Sequence, residues 1–532
     1  MSAMNPEPVF IGPGGSAGPI LARHVGSKAA ELARLSALRL PVPLAFVLPT
    51  SLCAGVIVGS DDAMKAMRKG VVAGVGWLEA ATRRRLGDGR TPLFVSVRSG
   101  AEKSMPGMLD TVLNVGMNAS SVHGLIRMTG NPRMAYDSYR RFIQSYAEVV
   151  GGAAPGSFAG LLAQMIAAEG AANEAELDSE ALERLTDEFL ALATHLGHAP
   201  PFDPSDQIAD AAQAVYRSWE SARAKEYRRL SSLTGLAGTA VTVQAMAFGN
   251  SGGDSGAGVA FSRDPATGAK ELYVDFLADA QGEDIVSGRR SPSDAALLQK
   301  RMPEVARQLE EGARALESAC GDVQDFEFTV ERGVLWFLQT RTAKRTPRAA
   351  LKIAVDLVEE GVIGRSEALA RVAEVDLAAA RASRFAEPAE PAAKAVVASP
   401  GVACGQVCLT TGRAKETAAR GEPAILVRRD TSTEDVAGFA VADGILTAVG
   451  GRTAHAAVVA RQLGKVCLVG CRALAVDERQ GSASLAGRRI HEGDWIALDG
   501  ASGEISLGRR AIVAEETPET AIVRQWREEA AA

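Results

Sequence analysis

One histidine stands in a setting that could carry a covalent phosphoryl group. Residues 447–461 read as the end of a strand, a double-glycine turn and a short Ala/Val helix that begins near His455. In the first turn of a helix, free backbone N–H groups and the helix dipole favour a negative group. A phosphoryl on the His455 imidazole would be stabilised there, and Arg452 and Thr453 could donate further hydrogen bonds to it. A lone histidine more often caps or packs, but this surrounding pattern favours a nucleophile.

A second set of chemistry-bearing residues lies on two predicted strands that flank the turn at residues 331–333. Strand alternation puts Asp325 and Glu327 on one face of the first strand, and Gln339 and Arg341 on one face of the next. Two carboxylates and an amide can hold Mg²⁺ through oxygen, and a guanidinium can neutralise phosphate. The alternative is a cross-strand salt bridge on a solvated face.

A glycine-rich segment at residues 249–258 lies between two strand-like runs. Such a loop can lay backbone N–H groups against phosphates because no Cβ blocks the approach, although a mobile hairpin is the alternative. The segment is not a P-loop, since it lacks the Lys-Ser/Thr ending and no helix follows. Lys28 at a predicted helix start and Arg98 at the end of a strand add cations suited to a polyphosphate. The candidate ATP-binding residues, in chain order, are Lys28, Arg98, Gly252, Gly253, Gly256, Asp325, Glu327, Gln339 and Arg341.

The elements that must position these residues fall into four predicted regions. Helical periodicity dominates from about 118 to 232, strands and glycines follow from about 238, and FAEPAEPAAK reads as a semi-rigid linker. The predicted regions are a nucleotide-binding region at 1–345 with a helical subdomain at about 118–232, a helical connector and linker at 346–394, an α/β unit at 395–508, and a tail at 509–532. The polar tail is expected to be loosely held.

Composition excludes several classes of function. The 532 residues are 47% hydrophobic and 23% charged, which is typical of globular proteins. A net charge of −6 gives no electrostatic reason to expect nucleic acid or an anionic membrane as a partner. The first ten residues lack the features of a signal peptide, and prolines interrupt the most apolar stretch, residues 40–59. The expectation is a cytoplasmic protein.

Several segments resemble those of the pyruvate, phosphate dikinase family, in the same order. Among them are VSVRSGAEKSMPGMLDTVLNVGMN, VQAMAFGNSGGDSGAGVAFSRDPATG, LADAQGEDIVSG and GGRTAHAAVVARQLGKVCLVGC, and the resemblance runs from about residue 20 to 508. It implies an α/β and α+β multidomain protein, with an ATP-grasp nucleotide-binding region followed by a swivelling α/β phosphohistidine domain. In such enzymes the β-phosphoryl of ATP reaches the histidine and the γ-phosphoryl passes to phosphate, which gives AMP and pyrophosphate.

The resemblance also implies roles for individual residues. His455 would be the phosphorylated nucleophile, and Thr453 the position that regulators modify in some members. The implied contacts with ATP phosphates are Lys28, Arg98 and Arg341. The implied Mg²⁺ ligands are Glu327 and Gln339. The same histidine must reach first the ATP site and then the site of the phosphoryl acceptor. The unit at 395–508 is therefore expected to rotate as a body about residues 385–394.

The sequence departs from the family at several positions. Ser27 replaces a glycine beside the first lysine, Arg452 replaces a methionine, Ala454 replaces a serine and Asp275 replaces a glutamate. Family members continue into a (β/α)8 barrel that binds pyruvate or phosphoenolpyruvate, and residues 509–532 are too few to form one. The expected partners are therefore ATP, phosphate and a separate subunit that binds pyruvate or phosphoenolpyruvate; a homodimer is one assembly that the resemblance allows.

Two other functions stay open from the sequence. The first is a kinase like phosphoenolpyruvate synthase, or one that phosphorylates another small molecule or a carrier protein, with water taking the γ-phosphoryl. Release of orthophosphate without pyrophosphate would distinguish it. The second is a non-catalytic regulator that binds nucleotide, which would show nucleotide binding without phosphohistidine. The retention of the phosphate-contacting cations, the Mg²⁺ ligands and His455 favours the enzyme.

Overall fold

A computed structural model describes most of the chain. It covers residues 6–16, 20–103, 105, 108–230, 233–286, 295–378, 380–431, 435–451, 455–477 and 481–531. Among these residues, no helix combines the length and the apolar character needed to cross a lipid bilayer.

Contacts divide the chain into two compact units. Unit one comprises Met1–Gly253 and Trp336–Thr340, and unit two comprises Asp254–Leu335 and Arg341–Ala532. The mixed α/β multidomain architecture expected from the sequence is confirmed. The boundary lies inside the glycine-rich segment, whereas the predicted four-part division, with its first boundary at residue 345, stays a prediction.

Unit one is built on a five-stranded antiparallel sheet with helices packed against it. Its strands are β1 (Val9–Ile11), β2 (Ala45–Leu48), β3 (Arg85–Leu86), β4 (Pro92–Leu93), β5 (Val95–Ala101), β6 (Thr111–Val115) and β7 (Thr239–Ala245). Its helices are α1 (Ala22–Ala37), α2 (Cys53–Ile57), α3 (Asp61–Thr82), α4 (Ala119–Thr129), α5 (Pro132–Tyr146), α6 (Ala159–Ala168), α7 (Ser179–His195), α8 (Pro204–Ser218) and α9 (Ala222–Leu230). The sheet order is β1-β2-β7-β5-β6, and β3 pairs separately with β4.

Local sequence explains why the helical part of unit one forms. At the start of α4, the Asn118 side chain accepts a hydrogen bond from the Ser121 backbone N–H at 2.8 Å, and the Ser121 hydroxyl accepts one from the Asn118 N–H at 2.9 Å. Farther along, α8 presents Ile208, Ala211 and Val215 at helical spacing, all fully buried, towards β5 and β7. This apolar stripe fixes α8 on one face of the sheet.

Unit two contains a small antiparallel sheet and a larger mixed one. Its first strands are β8 (Gly256–Phe261), β9 (Tyr273–Ala278), β10 (Gln324–Glu331) and β11 (Val334–Thr342), of which the central residues of β11 belong to unit one. Strands β9, β8 and β10 are neighbours in that order. Arg332 and Gly333 have φ values of 51° and 77°, the positive values that a tight turn between β10 and β11 requires. The helices around these strands are α10 (Gly282–Val286), α11 (Ala295–Arg301), α12 (Pro303–Cys320), α13 (Pro347–Glu359) and α14 (Arg365–Arg371).

The predicted unit at 395–508, together with the short strand just before it, contains an eight-stranded sheet and a separate three-stranded sheet, and a two-stranded sheet lies beside them. Its strands, with their neighbours, are β12 (Ala382–Phe385), β13 (Ala393–Lys394), β14 (Val396–Ser399), β15 (Val402–Cys408), β16 (Ala424–Arg428), β17 (Gly444–Thr447), β18 (Val466–Val469), β19 (Leu474–Asp477), β20 (Ser482–Leu485), β21 (Arg488–Ile490), β22 (Trp495–Asp499), β23 (Glu504–Leu507) and β24 (Ile512–Glu515). The helices are α15 (Thr411–Ala419), α16 (Val436–Val441), α17 (His455–Gln462) and α18 (Pro518–Ala531). The sheet order is β13-β23-β22-β15-β16-β17-β18-β14, in which β15 to β18 run parallel.

The tail is held in place, so the expectation that it is loose is wrong. Strand β24 pairs antiparallel with β12, next to the predicted linker. Helix α18 packs on α13 and α14, where Val523 is fully buried and Trp526 is 8% exposed. Arg527 donates a hydrogen bond to the Val372 carbonyl at 2.6 Å. Apolar packing, strand pairing and this hydrogen bond together dock a segment whose composition is mostly polar.

Candidate functional site

Gly26 sets the position of Lys28 in unit one. Its φ of 79° and ψ of 159° interrupt α1, so the regular part of the helix begins at Ser27. A Cβ on Gly26 would lie 2.8 Å from the Cα of Gly100 and closer still to its carbonyl oxygen. The Ser27 hydroxyl donates to the Ala101 carbonyl at 3.1 Å. These contacts seat the first helical turn, and with it Lys28, against the end of β5.

Arg98 lies on the face of β5 that α1 approaches. In the antiparallel register, Arg98 is opposite Thr242 and Gly100 is opposite Ala240 on β7. Alternate strand residues share a face, so Arg98 and Gly100 point to the same side of the sheet. Lys28 and Arg98 are both half-buried. The structure therefore brings these two predicted phosphate-contacting cations to one face of unit one.

The glycine-rich segment contains two different kinds of glycine. Gly252 and Gly253 have φ values of 77° and 54° and leave space where a Cβ would be, so their backbone is open to a close approach. Gly256 instead starts β8 and is buried, and a Cβ there would lie 2.7 Å from the Leu277 carbonyl oxygen and closer to the Phe276 ring. Packing alone requires glycine at 256, and its predicted contact with ATP stays a prediction.

The predicted acidic residues share a face of unit two. Asp325 and Glu327 are opposite Phe261 and Val259 on β8, two residues apart on both strands. The Arg341 Nε lies 2.8 Å from Asp325 Oδ2. Burial raises the pKa of Asp325 above its ordinary 3.8, and the nearby charge of Arg341 only partly offsets this. The buried carboxylate of Asp325 therefore forms an ion pair with Arg341.

Arg341 keeps its charge in this setting. Burial by itself would lower the pKa of its guanidinium, but the carboxylates of Asp325 and Glu327 raise it above the ordinary value. A half-buried cation beside two acids can receive phosphate oxygens when a nucleotide displaces part of the ion pair. Gln339 is buried and belongs to the segment of β11 that groups with unit one. Its predicted partnership with Glu327 joins residues of different units and stays a prediction.

The histidine helix follows a parallel strand. Strand β17 ends at Thr447, Gly450 has a φ of 108°, and α17 begins at His455 before β18 continues the parallel sheet. In open α/β sheets, ligands bind at the carboxyl ends of the strands, where this helix begins. The strand, turn and helix predicted from the sequence are present. Arg452 and Thr453 lie outside the described residues, and for His455 the description covers the backbone alone.

Comparisons with known proteins match both regions. A model described as pyruvate phosphate dikinase, AMP/ATP-binding domain matches residues 64–309, and one described as PEP-utilising enzyme, mobile domain matches residues 420–503. Pyruvate, phosphate dikinase of Clostridium symbiosum is 43% identical over 490 residues, which cover 91% of this chain and 56% of that protein. Pyruvate, phosphate dikinase 2 of Oryza sativa subsp. japonica is 43% identical over 494 residues, which cover 91% and 55%.

The chain belongs to the pyruvate, phosphate dikinase family. The resemblance read from the sequence is thereby confirmed. The chain spans about half the length of the curated relatives it matches. One of these relatives, from Arabidopsis thaliana, is described as chloroplastic.

Two departures from the dikinase pattern have structural consequences. Ser27, where the family has glycine, uses its hydroxyl to bind the end of β5. Asp275, where the family has glutamate, is buried on β9 and lies opposite Val259, which in turn lies opposite Glu327. Asp275 therefore adds a third carboxylate to the face that carries Asp325. The position of Asp275 beside the other two carboxylates follows from the pairing of the strands, which could not be predicted from the sequence.

Sequence reasoning also gave no role to Arg461, the last residue of the histidine motif. Its side chain is 1% exposed, which is rare for an arginine. The Nη1 donates to the Ala398 carbonyl at 2.9 Å, and the guanidinium carbon lies 5.6 Å from the centre of the Phe261 ring. The signal available in the sequence was a lone cation at the end of an otherwise apolar helix.

Proposed function

We propose that this dikinase-family chain catalyses the ATP-dependent phosphorylation of His455, with release of AMP and pyrophosphate when phosphate is present. One observation carries the proposal: the helix that begins at His455 belongs to the same compact unit as the strand that carries Asp325 and Glu327. Similarity to pyruvate, phosphate dikinases over 91% of the chain supports it. Arg452 and Thr453 are proposed to support the phosphorylated imidazole.

The proposed reaction has two bond exchanges. An imidazole nitrogen of His455 forms a bond to the β-phosphorus of ATP as the bond from that phosphorus to the α-phosphate oxygen breaks, and AMP leaves with the oxygen. A phosphate oxygen then attacks the γ-phosphorus, whose bond to the β-phosphate oxygen breaks. Pyrophosphate leaves, and one phosphoryl stays on the histidine. Lys28, Arg98 and Arg341 are proposed to bind the phosphates and hold them in line.

Mg²⁺ fits the proposed donor set in chemical type. Glu327 and Gln339 offer the oxygen ligands that Mg²⁺ prefers, and one or two protein ligands suffice when phosphates supply the rest. Within the described residues, no three or more His, Cys, Asp or Glu side chains are grouped closely enough to hold an ion by themselves. When bound, the ion would neutralise charge on the phosphates. We propose that Glu327 and Gln339 hold it together with ATP.

We further propose that the phosphohistidine exchanges its phosphoryl with pyruvate or phosphoenolpyruvate on a separate subunit, in the cytoplasm. The domain at 395–508 is proposed to swivel about residues 385–394 between the two sites. Addition of a barrel-bearing subunit to phosphorylated chain, together with pyruvate, should yield phosphoenolpyruvate. No product from either subunit alone is expected.

Exchange of labelled pyrophosphate into ATP, in the presence of AMP and phosphate, tests the histidine's role. His455→Ala should abolish the exchange. His491→Ala is the matched control, because His491 is an exposed histidine of the same domain, and this variant should retain it. Exchange in the His455→Ala variant would contradict the proposal. Orthophosphate without pyrophosphate among the products would instead favour the alternative in which water takes the γ-phosphoryl.

A further inference from the structure

Arg461 is a buried cation on the helix that begins at His455. The side chain is 1% exposed and lies six residues along α17 from the histidine. Burying a charge is costly unless a partner or hydrogen bonds compensate it. The contacts of the Arg461 guanidinium must therefore offset the cost of burying its charge, and they reach both its own domain and a neighbouring sheet.

One contact lies inside the domain at 395–508. The Nη1 donates a 2.9 Å hydrogen bond to the carbonyl of Ala398 on β14. Strand β14 pairs with β18, the strand that follows α17, so this bond connects neighbouring elements of one sheet. If the domain moves as a body, the bond between Arg461 and Ala398 moves with it.

Two further interactions reach outside that domain, within the same unit. The guanidinium carbon is 5.6 Å from the centre of the Phe261 ring on β8, a distance at which a cation is attracted to an aromatic face. Phe261 is opposite Asp325 in the strand register. The positive charge of Arg461 also acts on the buried carboxyl of Asp325, where it opposes the rise in pKa that burial causes. The cation therefore lies where α17 meets the sheet that carries the acidic residues.

We propose that Arg461 is a positioning residue that holds the helix of His455 against the sheet of Asp325 while the histidine is phosphorylated. The proposal rests on the proposed function and names a part of its machinery. The contact with Phe261 and the attraction to Asp325 exist only in this docked arrangement, whereas the bond to Ala398 persists in every position of the domain. Arg461 thus favours the docked arrangement selectively.

Arg461→Met tests the proposal because it removes the charge and keeps much of the side chain's length. The single-turnover rate of His455 phosphorylation should fall about tenfold or more. The affinity for ATP, measured by calorimetry, should stay within about twofold, since Arg461 is not proposed to touch the nucleotide. Arg461→Lys, which keeps the charge, should recover much of the rate.

Phe261→Leu provides a second variant that leaves the domain at 395–508 unchanged. It should slow phosphorylation in the same way. The double variant should be little slower than Arg461→Met alone, because both substitutions remove the same contact between Arg461 and Phe261. A wild-type rate in Arg461→Met would overturn the proposal. So would a slow Arg461→Met combined with a wild-type Phe261→Leu, since the effect would then be internal to the domain.

A distance measurement separates this proposal from the proposed function. Spin labels on cysteines introduced at Val334 and Leu507, both exposed in unit two, report how the domain at 395–508 sits on the sheet. Arg461→Met should broaden the distance distribution or shift it away from the docked value. An unchanged distribution would overturn the proposed role of Arg461, whether or not the chain forms phosphohistidine. A wild-type chain that forms no phosphohistidine would count against the proposed function alone.

Discussion

Gly26→Ala is expected to damage unit one at the point where Lys28 is positioned. The backbone at Gly26 has a φ of 79° and a ψ of 159°, a region populated almost only by glycine. The added Cβ would also lie 2.8 Å from the Cα of Gly100 and closer to its carbonyl oxygen. Backbone atoms of a central strand cannot rotate away as a side chain can, so both penalties apply.

The structure allows the two penalties to be separated. Backbone strain of this kind costs about 1–3 kcal/mol, and forcing an extra carbon into a packed site costs about 1–3 kcal/mol more. We therefore expect Gly26→Ala to destabilise the region by about 4 kcal/mol. Gly59→Ala is the matched control: its φ is 73°, but nothing lies within 4 Å of the added carbon. The control should cost only about 1 kcal/mol.

Hydrogen exchange measured by mass spectrometry gives the local free energy of opening. Peptides from β5 and the start of α1 should lose protection in Gly26→Ala by about 3 kcal/mol more than in Gly59→Ala. ATP binding, measured by calorimetry, should weaken in Gly26→Ala because Lys28 shifts with the turn. Equal losses of protection in the two variants would refute the claim that the close approach of Gly26 to Gly100 positions this turn.

Three further predictions concern packing and charge. Gly256→Ala should lower the stability of unit two by about 1–3 kcal/mol, seen as a lower urea midpoint, because the added carbon meets the Phe276 ring. Trp526→Ala should cost about 3 kcal/mol and expose α18 to proteolysis, whereas Val513→Ala, which trims a side chain that is 38% exposed, should change little; equal effects would contradict the docked tail. Burial would raise the pKa of Asp137, but three nearby arginines outweigh this effect and hold the pKa below the ordinary 3.8. The ionised Asp137 therefore stabilises the fold above pH 3.8, and this stabilisation is lost as the pH falls through the lower pKa of the folded state. Asp137→Asn should abolish this part of the acid sensitivity in melting curves of unit one.

The histidine motif shows what local sequence can predict. The strand end, the glycine turn and the start of α17 at His455 all follow from short-range rules about turns and helix starts. The shared face of Asp325 and Glu327 follows equally from strand alternation. In each case the deciding residues are close together in the chain, so no tertiary information is needed.

The remaining features depend on contacts between distant segments. The docking of α18 requires α13 and α14 to lie where Val523 and Trp526 can reach them, which the polar composition of the tail conceals. The packing role of Gly256 depends on the Phe276 side chain of a neighbouring strand. The burial of Arg461 depends on Phe261, two hundred positions earlier in the chain. Residue types near each position therefore do not identify the distant partners on which these roles depend.

The fate of the two terminal phosphates of ATP tests the central claim most directly. The purified chain should be incubated with ATP labelled separately at the β and γ positions, with and without phosphate, and acid-labile label on His455 should be quantified. With phosphate present, β label should remain on the histidine while γ label appears in pyrophosphate. Label from the γ position alone on the protein, or β label retained by His455→Ala, would contradict the account.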